Sequence, residues 1–427
     1  MIFLNTVSTE LLRCVMGEDA EAIRGSLSRL LMGKRVMLVM TGSISIYKVP
    51  DVARGLIRHG AYVSVLMSRT AAKLLSPMVM QWATGHRPLV RLSGYAEHVR
   101  ECASADALVA VPATANLIGK LANGITDNAP LLCLAVALGV GKPIMVVPAM
   151  NIGMWSNPIV QGNVSRLRAL GVKVLDPVVE EGKAKLPPVE EIVESTIDLL
   201  APRDMSGLSV LVTSGPTREH IDDVKYITTP SSGLTGYFIA REAAARGANV
   251  FVVSGPVDVK YPSNVNVVKV MSVVEMHEAV LRILRISHID IAVFAAAPLD
   301  FYVKERAVGK LNSDLDTVNI TLVRAPKIVN DAKRESRDTI VVGYKAEVNV
   351  DEGGLIERAL SRMRNGAWDL AIAHRVGPGI GFGTLTDSYI IIEPDGTFTK
   401  VGPLHKRELA RIILDKSIQL LRRRTRT

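Results

Sequence analysis

Apolar positions along the chain fall into two alternating textures. RVMLVM is an almost unbroken apolar run that stops at the small polar stretch TGSIS; VPDVARGLIRHG then repeats at helical spacing, and AYVSVLMS is apolar again. A strand buried on both faces of a parallel sheet reads as a continuous apolar run, whereas an amphipathic helix repeats every 3.6 residues. The phrase therefore predicts a βαβ unit. It recurs later as LSVLVTSGPT followed by FIAREAAARGANVFVVSGP, and RHGAYVSVLMS closely resembles ARGANVFVVSG. This repetition predicts an α/β fold of two Rossmann-like domains with mainly parallel sheets. The seam lies near LLAPRDMSGLSV, where Pro202, Asp204, Ser206 and Gly207 break a helical pattern, so the domains are expected over 34–203 and 204–427. In residues 1–33, Leu11, Leu12 and Val15, then Ile23, Leu27, Leu30 and Leu31, stand at helical spacing and predict a short helical extension.

Composition narrows the class. Hydrophobic residues make up 48% and charged residues 22%, enough for two packed cores and too apolar for a disordered chain. Aromatics are only 4%, so the cores are expected to be Val, Ile, Leu and Ala. The formal charge of +9 is partly the terminal LRRRTRT. A solvated basic end accounts for it, and handling of anionic metabolites suits it. No helix-turn-helix signature or aromatic–basic interleave accompanies the charge, so no nucleic-acid partner is expected. Cys14, Cys102 and Cys133 are scattered and odd in number, which indicates neither a disulfide framework nor a zinc site. There is no secretory pattern at the start, and APLLCLAVALGVG is too short to span a bilayer. No membrane partner and a cytoplasmic location are the expectations.

The chemistry-bearing residues cluster where strands are expected to end. Gly42, Ser43 and Ser45 follow the first strand, and Ser68 and Thr70 follow the second. Ala113, Thr114 and Asn116 follow the run ALVAV, and Asn151 closes PIMVVPAMN. Ligands of open α/β sheets bind outside the carboxyl ends of the strands. Small hydroxyl residues at a helix start either hold a phosphate or merely cap the helix; likewise Asn151 either orients a substrate or caps a turn. In the second half, Gly215 in TSGPT and Ser231, Ser232 and Gly233 before a helix offer the same two readings.

TGSISIYK, EHVRECASAD, VPATANLIGKLANGITDN and VPAMNIGMW together resemble the flavin-dependent cysteine decarboxylases, which include phosphopantothenoylcysteine decarboxylase, over about residues 33–200. The resemblance implies a Rossmann-like domain that binds FMN and assembles through trimer contacts. It implies that His98 is the catalytic histidine, that Asn151 holds the substrate carboxylate, and that Met154 and the turn residues above contact the cofactor. Decarboxylation of a cysteine residue needs an electron sink, which FMN supplies, while a histidine shuttles protons near neutral pH. Bacterial relatives carry a flap cysteine after PAMN. Here the corresponding VVEEGKAKLPP has none, and Lys183 and Lys185 are the flap residues expected to meet an anionic substrate, unless this is simply a solvated loop.

The ordered set TSGPTRE, PSSG, VSGPV, AAAPLDFY, GKL and VVGYKAE resembles phosphopantothenate–cysteine ligase over about residues 205–415. That resemblance implies a dimeric Rossmann-like domain using CTP with Mg2+, the metal ligands on the protein being unassigned. Its chemistry activates the carboxylate of 4′-phosphopantothenate as an acyl-cytidylate, which the amine of L-cysteine then attacks. It places Lys310 on the lysine needed for cytidylate formation and Asp300 on a nucleotide contact, with Ala296 against the base. Tyr344 falls in the nucleotide pocket, and Pro326, Lys327, Ile328 and Val329 on a nucleotide-contacting stretch. Arg362 and Arg364 match lysines that meet the triphosphate. Three departures stand out: Lys327 replaces an aspartate, Thr229 an asparagine, and Leu234 a lysine. The two halves imply consecutive steps of coenzyme A biosynthesis, ligation and then decarboxylation of phosphopantothenoylcysteine to 4′-phosphopantetheine, in a homo-oligomer. The departures leave open a decarboxylase whose ligase half is inactive.

Overall fold

The computed structural model describes residues 20–91, 97–377 and 379–424; the side chains of residues 97–99 lie outside that description. The chain divides into two compact units between Ala201 and Pro202. In the first unit, β1 (Arg35–Met40), β2 (Tyr62–Met67), β3 (Ala107–Ala113), β4 (Ile144–Pro148) and β6 (Lys173–Val174) form a parallel sheet in the order β2-β1-β3-β4-β6. Successive side chains of a strand point to opposite faces. Val36, Leu38 and Met40 accordingly pack against α1 (Val49–Arg58), α3 (Pro77–Thr84) and α9 (Val189–Leu199). Met37 and Val39 pack the other way, against α4 (Glu97–Ser104), α5 (Ala115–Ala122), α6 (Ala129–Gly139) and α8 (Pro158–Ala169). Each such buried Val, Leu or Met contributes roughly 1.5–3 kcal/mol, which is why an uninterrupted apolar run was needed for β1.

Two expectations fail in this unit. Residues 20–33 form turns, not a helix. Gly25 adopts φ +72°, and the N–H groups of Gly25, Leu27 and Leu31 donate to the carbonyls of Ile57, Arg58 and His59. Those carbonyls end α1 and lack partners within it, so the segment spends its backbone donors on a neighbour's C-terminus. The apolar spacing of Leu30 and Leu31 reflects burial in that docked turn. The earlier predicted helix around Leu11 and Val15 lies outside the described residues. The second correction concerns cysteine: Cys102 of α4 and Cys133 of α6, separated by 31 residues, form a disulfide with Cα atoms 5.6 Å apart. Both are fully buried beside Met37, a pairing that only the packing of the two helices creates.

The second unit is built on β9 (Ser209–Ser214), β12 (Asn249–Ser254), β13 (Val265–Lys269), β14 (Ile291–Phe294), β17 (Ile340–Glu347), β18 (Leu370–Arg375), β19 (Thr386–Ile392) and β20 (Phe398–His405). The order is β13-β12-β9-β14-β17-β18-β19-β20. The first six strands are parallel, and β19 and β20 extend the sheet antiparallel. Val210 and Val212 face α10 (Leu234–Ala245) and α14 (Lys406–Arg424). Leu211 faces α11 (Val273–Ile286) and α12 (Ile328–Glu335). Glu242, fully buried on α10, accepts from Arg407 and Arg411 of α14 at 3.2 and 2.8 Å and so joins these two helices.

Candidate active sites

In the first sheet the strand order reverses between β1 and β3, and a crevice at such a switch point is where doubly wound sheets bind ligands. A cleft of about 710 Å³ opens there, lined by Thr41 and Gly42 after β1, Met67 to Thr70 after β2, and Thr114, Asn116 and Leu117 at the start of α5. Thr41 donates to the Pro112 carbonyl at 2.6 Å and accepts from the Thr114 N–H at 3.3 Å, which ties the ends of the two diverging strands together. Ser68 accepts from the Ala71 N–H and Thr114 from the Leu117 N–H. Each is therefore a helix cap, worth about 1 kcal/mol, and each cap stands at the cleft. A Cβ added to Gly42 would fall 2.4 Å from Thr70 Cγ2; glycine there lets the first loop lie against the second.

Of the residues expected to contact the cofactor, Gly42, Ser68, Thr70, Thr114 and Asn116 come together around this cleft. Ser43, Ser45, Ala113 and Met154 do not line it. Ser43 donates to the Ala149 carbonyl at 3.3 Å, Ser45 is half-buried in a short 3-10 turn, and Met154 is exposed on α7 (Ile152–Trp155). Ala113 has no exposed surface; its carbonyl accepts the Ala149 N–H and holds the PAMN loop beside β3. Sequence reading missed Thr41, Arg69, Arg91, Asp127 and Asn128, all on the cleft wall. Asn128 caps α6 through Leu131 N–H, and the dipeptide Asn-Ala before Pro130 was the signal for it.

PAMN ends in β5 (Met150–Asn151), and VVEEGKAK, expected as a flap or a solvated loop, forms a largely exposed hairpin. Strands β7 (Val178–Glu180) and β8 (Lys183–Lys185) pair antiparallel, and β8 also pairs with β5, matching Asn151 to Lys183. Glu181 and Gly182 both take positive φ, 50° and 67°, as a two-residue hairpin turn requires. Lys185 is engaged by Glu181 at 2.6 Å and Glu180 at 3.1 Å. The Glu181 bond leads in raising the Lys185 ammonium above its ordinary range and in holding the Glu181 carboxyl below its own. Lys183 is exposed beside Asn151 in the register. Asn151 accepts from the Gly153 N–H at 2.8 Å and caps α7, which leaves its Nδ2 amide without a partner among the described residues. His98 falls on α4, with its side chain outside the described residues.

In the second unit a cleft of about 230 Å³ opens at the carboxyl ends of β9, β14 and β17, lined by Thr213, Ala296, Asp300, Pro326 to Asn330, Tyr344, Lys345, Arg362 and Trp368, among others. Eight of the expected nucleotide contacts therefore converge: Ala296, Asp300, Pro326, Lys327, Ile328, Val329, Tyr344 and Arg362. Lys327 is paired with Asp300 at 2.6 Å. The Tyr344 phenol oxygen is buried without a hydrogen-bond partner among the described residues, and burial keeps it protonated well above the usual tyrosine range. Trp368 reaches the cleft because β17 carries glycine at 343: a Cβ there would fall 2.1 Å from the indole.

Gly215, Ser231, Ser232, Gly233, Lys310 and Arg364 do not line this cleft. Gly215 and Gly233 come together instead on Val257, where either Cβ would meet Val257 Cγ1 within 2.7 Å. Gly233 itself, at φ +76°, precedes α10 with no side-chain cap. Thr229 donates to the Ala297 carbonyl at 2.8 Å. Arg364 pairs with Glu357. Lys310 is exposed in the long connection after β15 (Phe301–Val303). Among the described residues no group of His, Cys, Asp and Glu forms a metal cluster, and no helix is long and apolar enough to cross a membrane.

Comparison with known proteins agrees with this division. Residues 24–201 match the Flavoprotein family, and residues 205–421 match the DNA/pantothenate metabolism flavoprotein C-terminal domain. The coenzyme A biosynthesis bifunctional protein CoaBC of Thermococcus kodakarensis is 38% identical over 412 residues, covering 95% of this chain and 100% of that protein. The CoaBC protein of Bacillus subtilis is 32% identical, covering 92% and 97%. Among solved structures, the C-terminal domain of a CoaBC protein aligns with 28% identity and a TM-score of 0.43, covering 51% of this chain and 98% of that domain. With two α/β units that each open a cleft at their strand ends, and full-length relatives above 30% identity, the chain belongs to the CoaBC family of bifunctional coenzyme A biosynthesis proteins.

Proposed function

We propose that this enzyme carries out two consecutive steps: CTP-dependent joining of L-cysteine to 4′-phosphopantothenate in the second unit, then FMN-dependent decarboxylation of phosphopantothenoylcysteine to 4′-phosphopantetheine in the first. The observation that carries the reading is end-to-end similarity to bifunctional relatives, with both clefts retained in one chain. It disfavours a decarboxylase with an inert second half, because eight expected nucleotide contacts still share one cleft.

The first cleft fits a flavin mononucleotide: it sits at the switch point, offers capped helix N-termini for a phosphate, and has apolar walls from Met67, Val90, Leu117 and Leu131. FMN supplies the electron sink that cysteine decarboxylation needs. Around it, Asn151 would hold the substrate carboxylate through its Nδ2 amide, the cap having fixed its Oδ1. His98 would move a proton, and Lys183 would meet the substrate phosphate as the flap residue not tied by Glu180 and Glu181. In the second cleft, Asp300, Ala296, Tyr344 and the Pro326–Val329 stretch would hold CTP. Lys310, Arg362 and the Mg2+ that accompanies the triphosphate would offset charge as the acyl-cytidylate forms. The enzyme would work in the cytoplasm as a homo-oligomer, with trimer contacts from the first unit and dimer contacts from the second.

The test is direct. Purified protein should be yellow with releasable FMN, should liberate pyrophosphate from CTP only with 4′-phosphopantothenate present, and should release CO2 from phosphopantothenoylcysteine. A colourless protein that takes up no FMN, or one without CO2 release, would sink the first half; absence of pyrophosphate release would sink the second.

A further inference from the structure

The connection between β15 and β16 (Leu322–Arg324) spans residues 304–321 and carries Lys310. It is fastened from outside. β10 (Arg218–His220) and β11 (Tyr226–Thr228) form a hairpin whose bend, residues 221–225, contains two consecutive aspartates. Asp222, fully buried, accepts from the N–H groups of Val224 at 2.7 Å, Lys225 at 2.5 Å and Leu311 at 2.9 Å, and from Lys225 Nζ at 3.0 Å. Asp223 accepts from the Gly309 N–H at 2.8 Å and from Arg306, while its own N–H donates to the Gly309 carbonyl at 3.0 Å. The Ala307 N–H completes the set by donating to Ile221 at 2.9 Å.

The bonds to Val224 and Lys225 shape the bend itself; the others all reach residues 306–311, and the two residues flanking Lys310 are each held by a different aspartate. The Lys310 side chain is exposed and has no partner of its own among the described residues. The backbone is thus anchored on both sides of an ammonium that stays available. Donors led by Leu311 N–H hold the Asp222 carboxyl well below the usual carboxylate range, so the anchor is an anion throughout the working pH range.

We propose that Asp222 and Asp223 are positioning residues for the ligation step, clasping the 306–311 segment to the β10–β11 hairpin so that Lys310 is presented to the triphosphate from a fixed backbone. This rests on the ligase reading of Lys310 given above. Misplacing a catalytic group by about an ångström can cost on the order of 100-fold in rate. Asp222→Ala should therefore lower kcat for pyrophosphate release by about that factor while the KM for CTP changes less than about threefold.

The discriminating experiment is a double-mutant cycle in the full-length protein. If Asp222 acts through Lys310, adding Asp222→Ala to Lys310→Gln costs nothing further, since residues acting as a unit are not additive. Asp223→Asn, which keeps an acceptor for Gly309, should retain most activity where Asp223→Ala does not. Hydrogen exchange supplies a readout independent of turnover: the Gly309 and Leu311 amides should be protected in the wild type and lose protection in Asp222→Ala, with β9 and β12 unchanged. Wild-type kcat in Asp222→Ala, multiplicative losses in the double variant, or unaltered exchange at 309 and 311 would each overturn the proposal. Should Asp222→Ala fail to fold, the Asp223 pair decides by the same measurements. A wild-type chain that releases no pyrophosphate overturns the ligase reading and with it the role given to Lys310, while exchange at 309 and 311 still shows whether the clasp exists.

Discussion

Lys327 Nζ lies 2.6 Å from Asp300 Oδ1, joining the residue before α12 to the residue before β15 across the second cleft. Both side chains are partly exposed, so the pair adds at most about 1 kcal/mol to stability. Its consequence is electrostatic. Lys327 stands where the resemblance to the ligases implies an aspartate; it neutralises Asp300 and, on the proposed function, would bring a positive charge to the triphosphate. Lys327→Ala should leave the melting temperature nearly unchanged but raise the KM for CTP by about tenfold, which corresponds to about 1.4 kcal/mol. Steady-state kinetics at two salt concentrations check it: the difference should shrink as salt rises.

Asn151 serves one structural purpose that can be separated from the proposed chemical one. Its Oδ1 caps α7, and aspartate caps a helix as well as asparagine does. Asn151→Asp should therefore melt like the wild type, yet decarboxylate about 100-fold more slowly, because a carboxylate now faces the substrate carboxylate it should bind. Asn151→Ala should lose about 1 kcal/mol of stability as well. Equal activity in Asn151→Asp and wild type would reduce Asn151 to a cap.

What could be read from the chain beforehand follows from burial. β1 and β9 are covered on both faces, so their apolar runs announced them, and the caps Ser68 and Thr114 were visible because helix starts need short polar side chains. The hairpin of β7 and β8 was not visible. VVEEGKAK has too few apolar residues to suggest strands, and its pairing depends on Ala184 lying opposite both Met150 and Val179. Residues 20–33 mislead for the opposite reason: Ile23, Leu27, Leu30 and Leu31 are spaced as in a helix, but Gly25 and the carbonyls at the end of α1 offer the backbone another arrangement. Asp222 and Asp223 read as an ordinary polar turn until the segment they hold, more than eighty residues later in the chain, is placed beside them.

The disulfide between Cys102 and Cys133 makes the first unit sensitive to reductant. Closing a loop over a separation of 31 residues restricts the unfolded chain by about 3–4 kcal/mol in the loop-entropy account. Cys133→Ala should lower the melting temperature of the first unit and leave that of the second unchanged, and wild-type protein in reductant should behave like the variant. Calorimetry with and without reductant checks this; identical transitions would show that the bond contributes nothing.

The second unit should lose stability in mild acid through His405. Burial, with Arg407 and Lys406 adding to it, pushes this imidazole from its ordinary 6.5 down to about 4. The side chain is buried against Phe238, and its Nδ1 accepts the Arg407 N–H at 3.3 Å, an arrangement that requires the neutral ring. Between those two values the unfolded chain binds a proton that the folded chain refuses, so stability falls as pH drops from about 6.5 towards 4 and is flat above that window, the loss reaching about 3 kcal/mol at most. Glu219 acts in the opposite sense: burial raises its carboxyl, so its protonation favours the fold at low pH and that contribution is lost as pH rises. The two must be separated by comparison with His405→Gln. Urea midpoints at pH 7 and pH 5, read by hydrogen exchange of β9 and α14, should fall in the wild type by more than in the variant. Parallel pH dependence in the two proteins would mean that some other group carries the acid sensitivity.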